Sequence, residues 1–526
     1  MHAIAEVVNA RQHAIADILR RTARRLPDKE AIICGDVSWS YAEFDAVVDR
    51  LAHALRARAV GAGDRVAILS RNSHAFVALR FAVARIGAVL VPINFMLNSE
   101  EVAFILRSSG AATLALGPGL ETVGRDAAAR AGCVTRLLWL PGEEAATAPE
   151  GLETFDALLA AADPAELPPV DSSAAAQIVY TSGTESAPKG AVLSHDAVLW
   201  EYVSCVIEGE MVAADRLLHA LPLFHCAQLD CFFGPAVYLG CTNVITSAPR
   251  PEVVLPLLAR HAISSFFAPP TVWIGLLRDP GFDTTDLSAL RKAYYGASIM
   301  PVEVLLEMQR RLPEVRLWNY YGQTEIAPLA TVLKPEDQLR KAGSAGRPAL
   351  NVQTRVVDDA MRDVAPGQVG EIVHRSPQLL GGYFDAPDKT AQAFDGGWFH
   401  SGDLATVDAE GYITIVDRKK DMIKTGGENV ASREVEEVIF RMPEVSEVAV
   451  VGLPDAQWIE AVVAVVVLKR GCHADAEAVL AHCRAQMAHF KVPKRVVFSD
   501  ALPKNPSGKL LKRELRRAHM DLFDGA

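Results

Sequence analysis

Hydrophobic positions along the chain switch period repeatedly. Ser40 followed by Glu43 has the form of a capping box, and Phe44, Val47, Val48, Leu51 and Leu55 then fall on one face of a 3.6-residue repeat. This predicts an amphipathic helix, with Gly61 and Gly63 ending it. VAILS, from Val66, predicts a buried strand, and a second helix is predicted from Phe76 to Ile86, stopped at Gly87 and followed by the β-rich run AVLVPIN. Strand, helix, strand in succession is the pattern of an α/β fold. From Pro141 to Ser173 the periodicity fades into Ala, Pro and acids, which predicts an exposed connection between subdomains.

A second change comes near Asp417 to Asp421, where VDRKKDMIK packs both signs of charge between the apolar run YITIV and the pair Gly426 and Gly427. Beyond it the sequence predicts a helix (SREVEEVIFRM), two apolar strands (VAVVGL and AVVAVVVL), a helix from Asp475 to His489 and a basic tail. These elements predict a separate small α+β domain. No internal repeat is present.

With 526 residues, 50% of them hydrophobic and 22% charged, the chain is long enough for several packed units. A net charge of -11 argues against nucleic-acid binding, which needs a basic surface to release counterions. The N-terminus lacks the apolar core of a secretory signal; its basic, helical character reads as a solvated surface helix, with peripheral membrane contact as the alternative. Arg85, Gly87, Pro92 and Asn94 interrupt the longest apolar run, Phe81 to Leu97, so no transmembrane segment is predicted. Among the 8 cysteines there is no CxxC pair, and Cys226, Cys231 and Cys241 sit in an apolar stretch that predicts core packing in a reduced cytoplasm.

The stretch YTSGTESAPKG, Tyr180 to Gly190, follows the apolar run AQIV. Two glycines, Thr181, Ser182, Thr184, Ser186 and Lys189 make a backbone and donor set suited to phosphate oxygens, although such a run taken alone is an ordinary loop. It is not a Walker A loop, because Lys189 precedes Gly190 and Ala191 instead of a hydroxyl residue. Behind it stand YYGQTE (Tyr320 to Glu325), FHSGD (Phe399 to Asp403) and PKNPSGK (Pro503 to Lys509) in fixed order. His225 and Asp230, in LPLFHCAQLD, also form an H-x4-D pair of the kind found in some glycerolipid acyltransferases, with a core histidine as the plainer reading.

Taken together, these motifs resemble the adenylate-forming (ANL) superfamily, which contains acyl-CoA synthetases, aryl-CoA ligases, luciferases and adenylation domains, over essentially the whole chain. The resemblance implies an acyl-CoA synthetase-like α/β fold: a large multi-subdomain N-terminal domain over 1–417, a hinge at 418–420 and a small mobile α+β domain over 421–526. It also implies an acid–thiol ligase that uses ATP, coenzyme A and Mg²⁺, with a possible homodimer. On that resemblance Thr181, Ser182, Gly183, Thr184 and Lys189 hold the phosphates; Gly296, Ala297, Ser298, Tyr321 and Gly322 border adenine; Thr324 contacts the α-phosphate. Glu325, with Thr184, ligates Mg²⁺. Asp403 accepts from the ribose hydroxyls with Arg418 assisting, His225 flanks the acyl carboxylate, and Lys509 stabilises charge on the α-phosphorus. Lys420 is the pivot, and Gly426 and Gly427 border the pantetheine tunnel in the second half-reaction. The phosphate loop departs from the usual TSGTTG at Glu185 and Ser186, which leaves its pyrophosphate contacts open.

The acyl pocket is expected between parts of Trp200 to Phe233 and the segment Tyr294 to Ser298, with Arg216 set apart in an exposed turn. The wording of LFHCAQLDCFFGPAVYLG and RKAGSAGRP is most similar to the fatty-acyl branch, making a medium or long fatty acid the first expectation. An aryl acid, a carrier-protein-loading ligase, a luciferase-like oxidase and a non-catalytic nucleotide-binding regulator are the rivals; intact Glu325 and Lys509 argue against the last.

Overall fold

The computed structural model describes residues 13–144, 146–160, 167–181, 188–298, 300–419, 421–425, 428–455, 458–505 and 510–523. The fold is mixed α/β, with a large N-terminal part and a small C-terminal part. Two large sheets form the former. In the eight-stranded sheet, Ala175–Thr181, Val89–Ile93, Arg65–Leu69, Thr113–Leu116, Arg136–Trp139 and Glu153–Thr154 lie side by side in parallel, and Lys189–Ser194 and Gly382–Tyr383 add antiparallel strands at one edge. In the nine-stranded sheet, Arg216–His219, Ser265–Phe267, Lys292–Gly296 and Arg316–Gly322 run parallel, so their C-terminal ends open on one crevice, the usual ligand position in such sheets.

Local chemistry explains the helices between the sheets. Ser40 Oγ accepts from Glu43 N (3.2 Å) while Glu43 Oε2 accepts from Ser40 N (2.7 Å), the expected capping box, and the helix runs Tyr41–Ala57. It ends at Arg58, a turn before Gly61 and Gly63, because the apolar face stops at Leu55. The next helix, His74–Arg85, starts from a Ser73 cap, two residues earlier than predicted, and is buried on every side. Its arginines survive there because Arg80 meets Asp230 (3.3 Å) and Arg85 meets Asp45 and Asp49. Removing one partner of the Arg80–Asp230 pair would strand a buried charge, at a cost of ~3–5 kcal/mol.

Two expectations are corrected. The segment from Pro141 to Ser173 does not link subdomains: it carries the edge strand Glu153–Thr154 and helix Phe155–Ala160, then returns to the centre of the same sheet. Phe155 and Leu158 anchor it by burying their side chains in the core. Arg216 does not sit in an exposed turn but opens a strand, half-buried and paired with Glu30 (3.2 Å), and Asp215 beside it is buried against Lys292 (2.8 Å).

A four-stranded antiparallel sheet, Gln353–Val357, Gly370–Arg375, Phe399–Val407 and Ile413–Arg418, leads to the C-terminal part. There Val445–Asp455 and Ile459–Leu468 form the centre of a five-stranded sheet whose valine-rich faces bury helices Ser432–Phe440 and Ala476–Gln486 on one side and Lys512–Ala518 on the other. Helix Ser432–Phe440 also touches the large part: Arg433 donates to Gly343 O (2.7 Å) and to Ile415 O, and Phe440 packs on its core. Among the described residues no helix is long and apolar enough to cross a membrane.

Candidate active site

The motif residues are carried by strand ends that meet at the crevice. Thr181 closes one strand and Lys189 opens the next as register partners, with 182–187 between them. The predicted phosphate contacts Ser182, Gly183 and Thr184, with Glu185, lie outside the described residues, as do Lys420, Gly426, Gly427 and Lys509. The antiparallel edge brings Tyr383 beside Ala191; its ring lies under Lys189 Nζ (5.4 Å to the centroid) and its phenol donates to Glu325 Oε1 (3.0 Å). Lys189, Glu325 and Tyr383 thus share one wall, carrying both signs of charge where a polyphosphate and its cation would meet. The Glu325 carboxylate, held by Tyr383, is a hard oxygen donor of the kind that fits Mg²⁺ beside phosphate oxygens.

Strands Lys292–Gly296 and Arg316–Gly322 end side by side, Gly296 in register with Tyr320. A Cβ on Gly296 would meet Tyr320 O at 2.3 Å, so only glycine allows the strands this approach. Ala297 follows in a left-handed conformation (φ 61°) and is exposed, while Ser298 is half-buried at the rim. Tyr321 points across to the four-stranded sheet, where its phenol donates to Asp403 Oδ2 (2.7 Å) and Arg418 Nε lies 3.3 Å from Asp403 Oδ1. Burial and the Asp403 carboxylate push the Tyr321 phenol well above its ordinary range, so it stays a donor. Asp403 and Arg418 are register partners on adjacent strands, which explains how residues fifteen positions apart converge.

Between these two walls runs the short 3₁₀ turn Thr324–Ile326. Its scaffold was not legible in the sequence. Glu201, fully buried on helix His195–Glu208, accepts from Leu329 N (3.2 Å) and from Gln378 Nε2 (2.7 Å), and Gln378 Nε2 also donates to Leu329 O (3.0 Å) and Ile326 O (3.3 Å). The thiols of Cys205 and Cys231 complete the shell around Glu201 Oε1 (3.1 and 3.2 Å). Burial pushes the Glu201 carboxyl up to about 8. This network clamps the donor and acceptor groups of the loop that bears Thr324 and Glu325.

His225 caps the short helix Cys226–Gln228, accepting from Ala227 N at Nδ1 (3.1 Å), and the next residue, Cys226, places Sγ 3.4 Å from Thr324 Oγ1. The imidazole region therefore borders the proposed α-phosphate contact. The H-x4-D pairing is absent, because Asp230 turns into the core to Arg80, Gln177 (2.7 Å) and Tyr202 (3.3 Å). From Leu229 to Phe233 the helix widens to a π turn, which aims Phe232 at the nine-stranded sheet and Phe233 at the opposite core. Trp200, expected at the pocket, is instead 46% exposed. Phe232, Phe267 and Tyr294 pack against one another in the core, with Phe232 stacked on Phe267 at 4.3 Å and 5.1 Å from Tyr294.

Tyr383 and Gln378 were also missed by sequence reasoning, their short strand and turn giving no periodic signal. A Gly–Gly pair ahead of Tyr383 was the one mark of a tight approach.

The family model described as "AMP-binding enzyme" matches residues 19–384, and "AMP-binding enzyme C-terminal domain" matches 434–509. A feruloyl-CoA synthase of Amycolatopsis sp is 39% identical over 94% of this chain and 97% of its own length. A long-chain-fatty-acid–CoA ligase of Mycobacterium tuberculosis is 36% identical over 95% and 98%. An anthranilate CoA ligase solved in complex with anthranoyl-AMP superposes with a TM-score of 0.90 at 25% identity, covering 96% of this chain and 97% of that one.

Proposed function

The chain belongs to the AMP-binding enzyme family, within the adenylate-forming superfamily, as an AMP-forming acid–CoA ligase, and from that premise we propose that its acid is an aryl carboxylic acid. Enzymes of this family use ATP and coenzyme A as substrates. In the first half-reaction a carboxylate oxygen attacks the α-phosphorus and the bond to pyrophosphate breaks. In the second, the thiol sulfur of coenzyme A attacks the acyl carbon and the bond to AMP breaks.

Lys189 and Thr181, with the 182–187 segment, hold the phosphates, and Tyr383 orients Glu325. Magnesium bound at Glu325 and Thr184 would neutralise phosphate charge as the nucleophile approaches. Tyr321 covers adenine beside Gly296, Ala297, Ser298 and Gly322; its hydrogen bond to Asp403 leaves Asp403 aimed at the ribose with Arg418 beside it. Thr324 contacts the α-phosphate, His225 flanks the carboxylate, and Lys509 meets the charge that develops on the equatorial oxygens. A small domain over 421–526 turns about 418–420, pivoting at Lys420, to exchange Lys509 for Gly426 and Gly427 between half-reactions. Eight free thiols fit a reducing cytoplasm.

The aryl reading is supported by the feruloyl-CoA synthase at 39% identity, against 36% for the long-chain-fatty-acid–CoA ligase, and by the anthranilate CoA ligase that superposes with a TM-score of 0.90. Pyrophosphate release with butyrate through palmitate, benzoate and ferulate tests it. Turnover of benzoate or ferulate at least ~10-fold above every alkanoate is expected, and preference for palmitate would return the fatty-acid reading. In the same assay Lys509→Ala should slow adenylation by ~10²-fold while sparing thioester formation from supplied acyl-adenylate. An equal fall in both would remove the division of labour.

A further inference from the structure

The strand that carries the ribose-facing carboxylate is held by a residue outside every motif. Glu371, on the neighbouring strand Gly370–Arg375, is only 14% exposed and divides its two oxygens between different segments. Oε1 accepts from Gly402 N (3.1 Å), and Gly402 turns in a left-handed conformation (φ 70°) immediately before Asp403. Oε2 accepts from Lys419 Nζ (3.4 Å), with His400 Nδ1 3.3 Å from the same oxygen. Lys419 is the residue before the proposed pivot, Lys420.

The two segments meet a second time through the backbone, where Lys419 N donates to Gly402 O (3.0 Å). Gly402 is thus gripped at N by Glu371 and at O by Lys419, and Lys419 is gripped at N by Gly402 and at Nζ by Glu371. Ser401 ties the same loop to the residue after Glu371: its hydroxyl donates to Ile372 O (2.6 Å) and accepts from Asp403 N (3.1 Å). Asp359 also lies 3.4 Å from Lys419 Nζ, but it is 97% exposed, so water and salt screen it. The half-buried Glu371 carboxylate is the firmer partner.

We propose that Glu371 is a positioning residue for both half-reactions: one oxygen sets Asp403 against the ribose through Gly402, and the other anchors Lys419 so that the small domain turns from Lys420 onward. It acts through other residues and touches no reacting atom. The second arm rests on the hinge reading above, and the first does not. The two arms are separable by chemistry, because a glutamine still offers Oε1 to Gly402 N while its neutral amide cannot hold an ammonium.

The test sets ATP affinity, measured by equilibrium dialysis without acid, beside the rates of acyl-adenylate formation and of thioester formation from supplied adenylate. Glu371→Ala loses both arms and should weaken ATP by ~10-fold. Glu371→Gln should keep ATP affinity within ~2-fold but change the ratio of the two rates by ~3-fold or more. Lys419→Met should change that ratio alike, and the double variant no further than either single one. Should Glu371→Ala fold poorly, the other two variants carry the test. Equal loss of ATP affinity and of both rates in Glu371→Gln would mean that Glu371 only supports the sheet, and additive effects at 371 and 419 would mean that they do not act as a pair; either overturns the proposal. Lys420→Pro tells this failure from that of the hinge, since it should depress thioester formation more than adenylate formation. If it lowers both equally, the hinge reading falls and the proposal with it, whereas an unequal effect there beside an unchanged ratio in Glu371→Gln overturns the proposal alone.

Discussion

Glu201 shows how one side chain couples the core to the site. Among the described residues its carboxyl has no charged partner, only amide and thiol donors, and burial pushes it from its ordinary 4.5 up to about 8. Between those values the folded chain holds a proton that the unfolded chain has released, so stability is greatest below the lower value and falls as pH rises through the upper one. The slope approaches ~1.4 kcal/mol per pH unit in that window. Glu201→Gln mimics the protonated acid and should flatten the fall of melting temperature between pH 5 and 8, and parallel curves for variant and wild type would refute the assignment. The sequence could not show this residue's role, because its partners Leu329 and Gln378 lie far away along the chain and no motif surrounds it. The nucleotide residues were legible for the converse reason: Thr324 and Glu325, or Thr181 and Lys189, sit within a few positions of each other and keep a fixed spacing.

At the scale of elements, the turn after strand Arg316–Gly322 has little room for variation. Gln323 N donates to Pro328 O (3.0 Å), and a Cβ on Gly322 would lie 1.7 Å from that oxygen and 2.9 Å from Ala330 N. Both obstacles are backbone, so no side chain can move aside. Gly322→Ala should push the strand end away from the loop that carries Thr324 and Glu325, lowering kcat/KM for ATP by ~10²-fold, the scale of a 1 Å misplacement. Near-wild-type activity with unchanged circular dichroism would show that the loop position is not critical. Elements with long periodic patterns were read well: the capping box at Ser40 and Glu43 and the paired valine-rich strands of the C-terminal part appear as expected. Those missed were short. Strand Glu153–Thr154 and helix Phe155–Ala160 offer too few residues for a period to register, and their composition resembles a linker until Phe155 and Leu158 are seen to pack into the core.

For the whole molecule, the proposed rotation about 418–420 has to break whatever docks helix Ser432–Phe440 onto the large part. That contact includes Arg433, which donates to Gly343 O and Ile415 O, Ser432, whose N and Oγ donate to Asp417 Oδ2 (2.8 and 2.7 Å), and Phe440 against the large core. The carbonyls belong to the large part and the guanidinium to the small one, so the bonds report its orientation and cannot survive a turn. Each partly buried charge-assisted bond of this kind is worth ~1.5 kcal/mol, enough together to bias the balance between two orientations by an order of magnitude or more. Arg433→Ala should therefore shift the two half-reactions unequally: the one served by the observed orientation slows by ~10-fold, while the other is unchanged or faster. The small part keeps its own valine-rich core, so the melting temperature should change little. Rapid-quench measurement of acyl-adenylate formation and of thioester formation from supplied adenylate separates the two rates. A matched fall in both would mean that the Arg433 contact supports the site as a whole, and the observed docking would no longer count as one of two working positions.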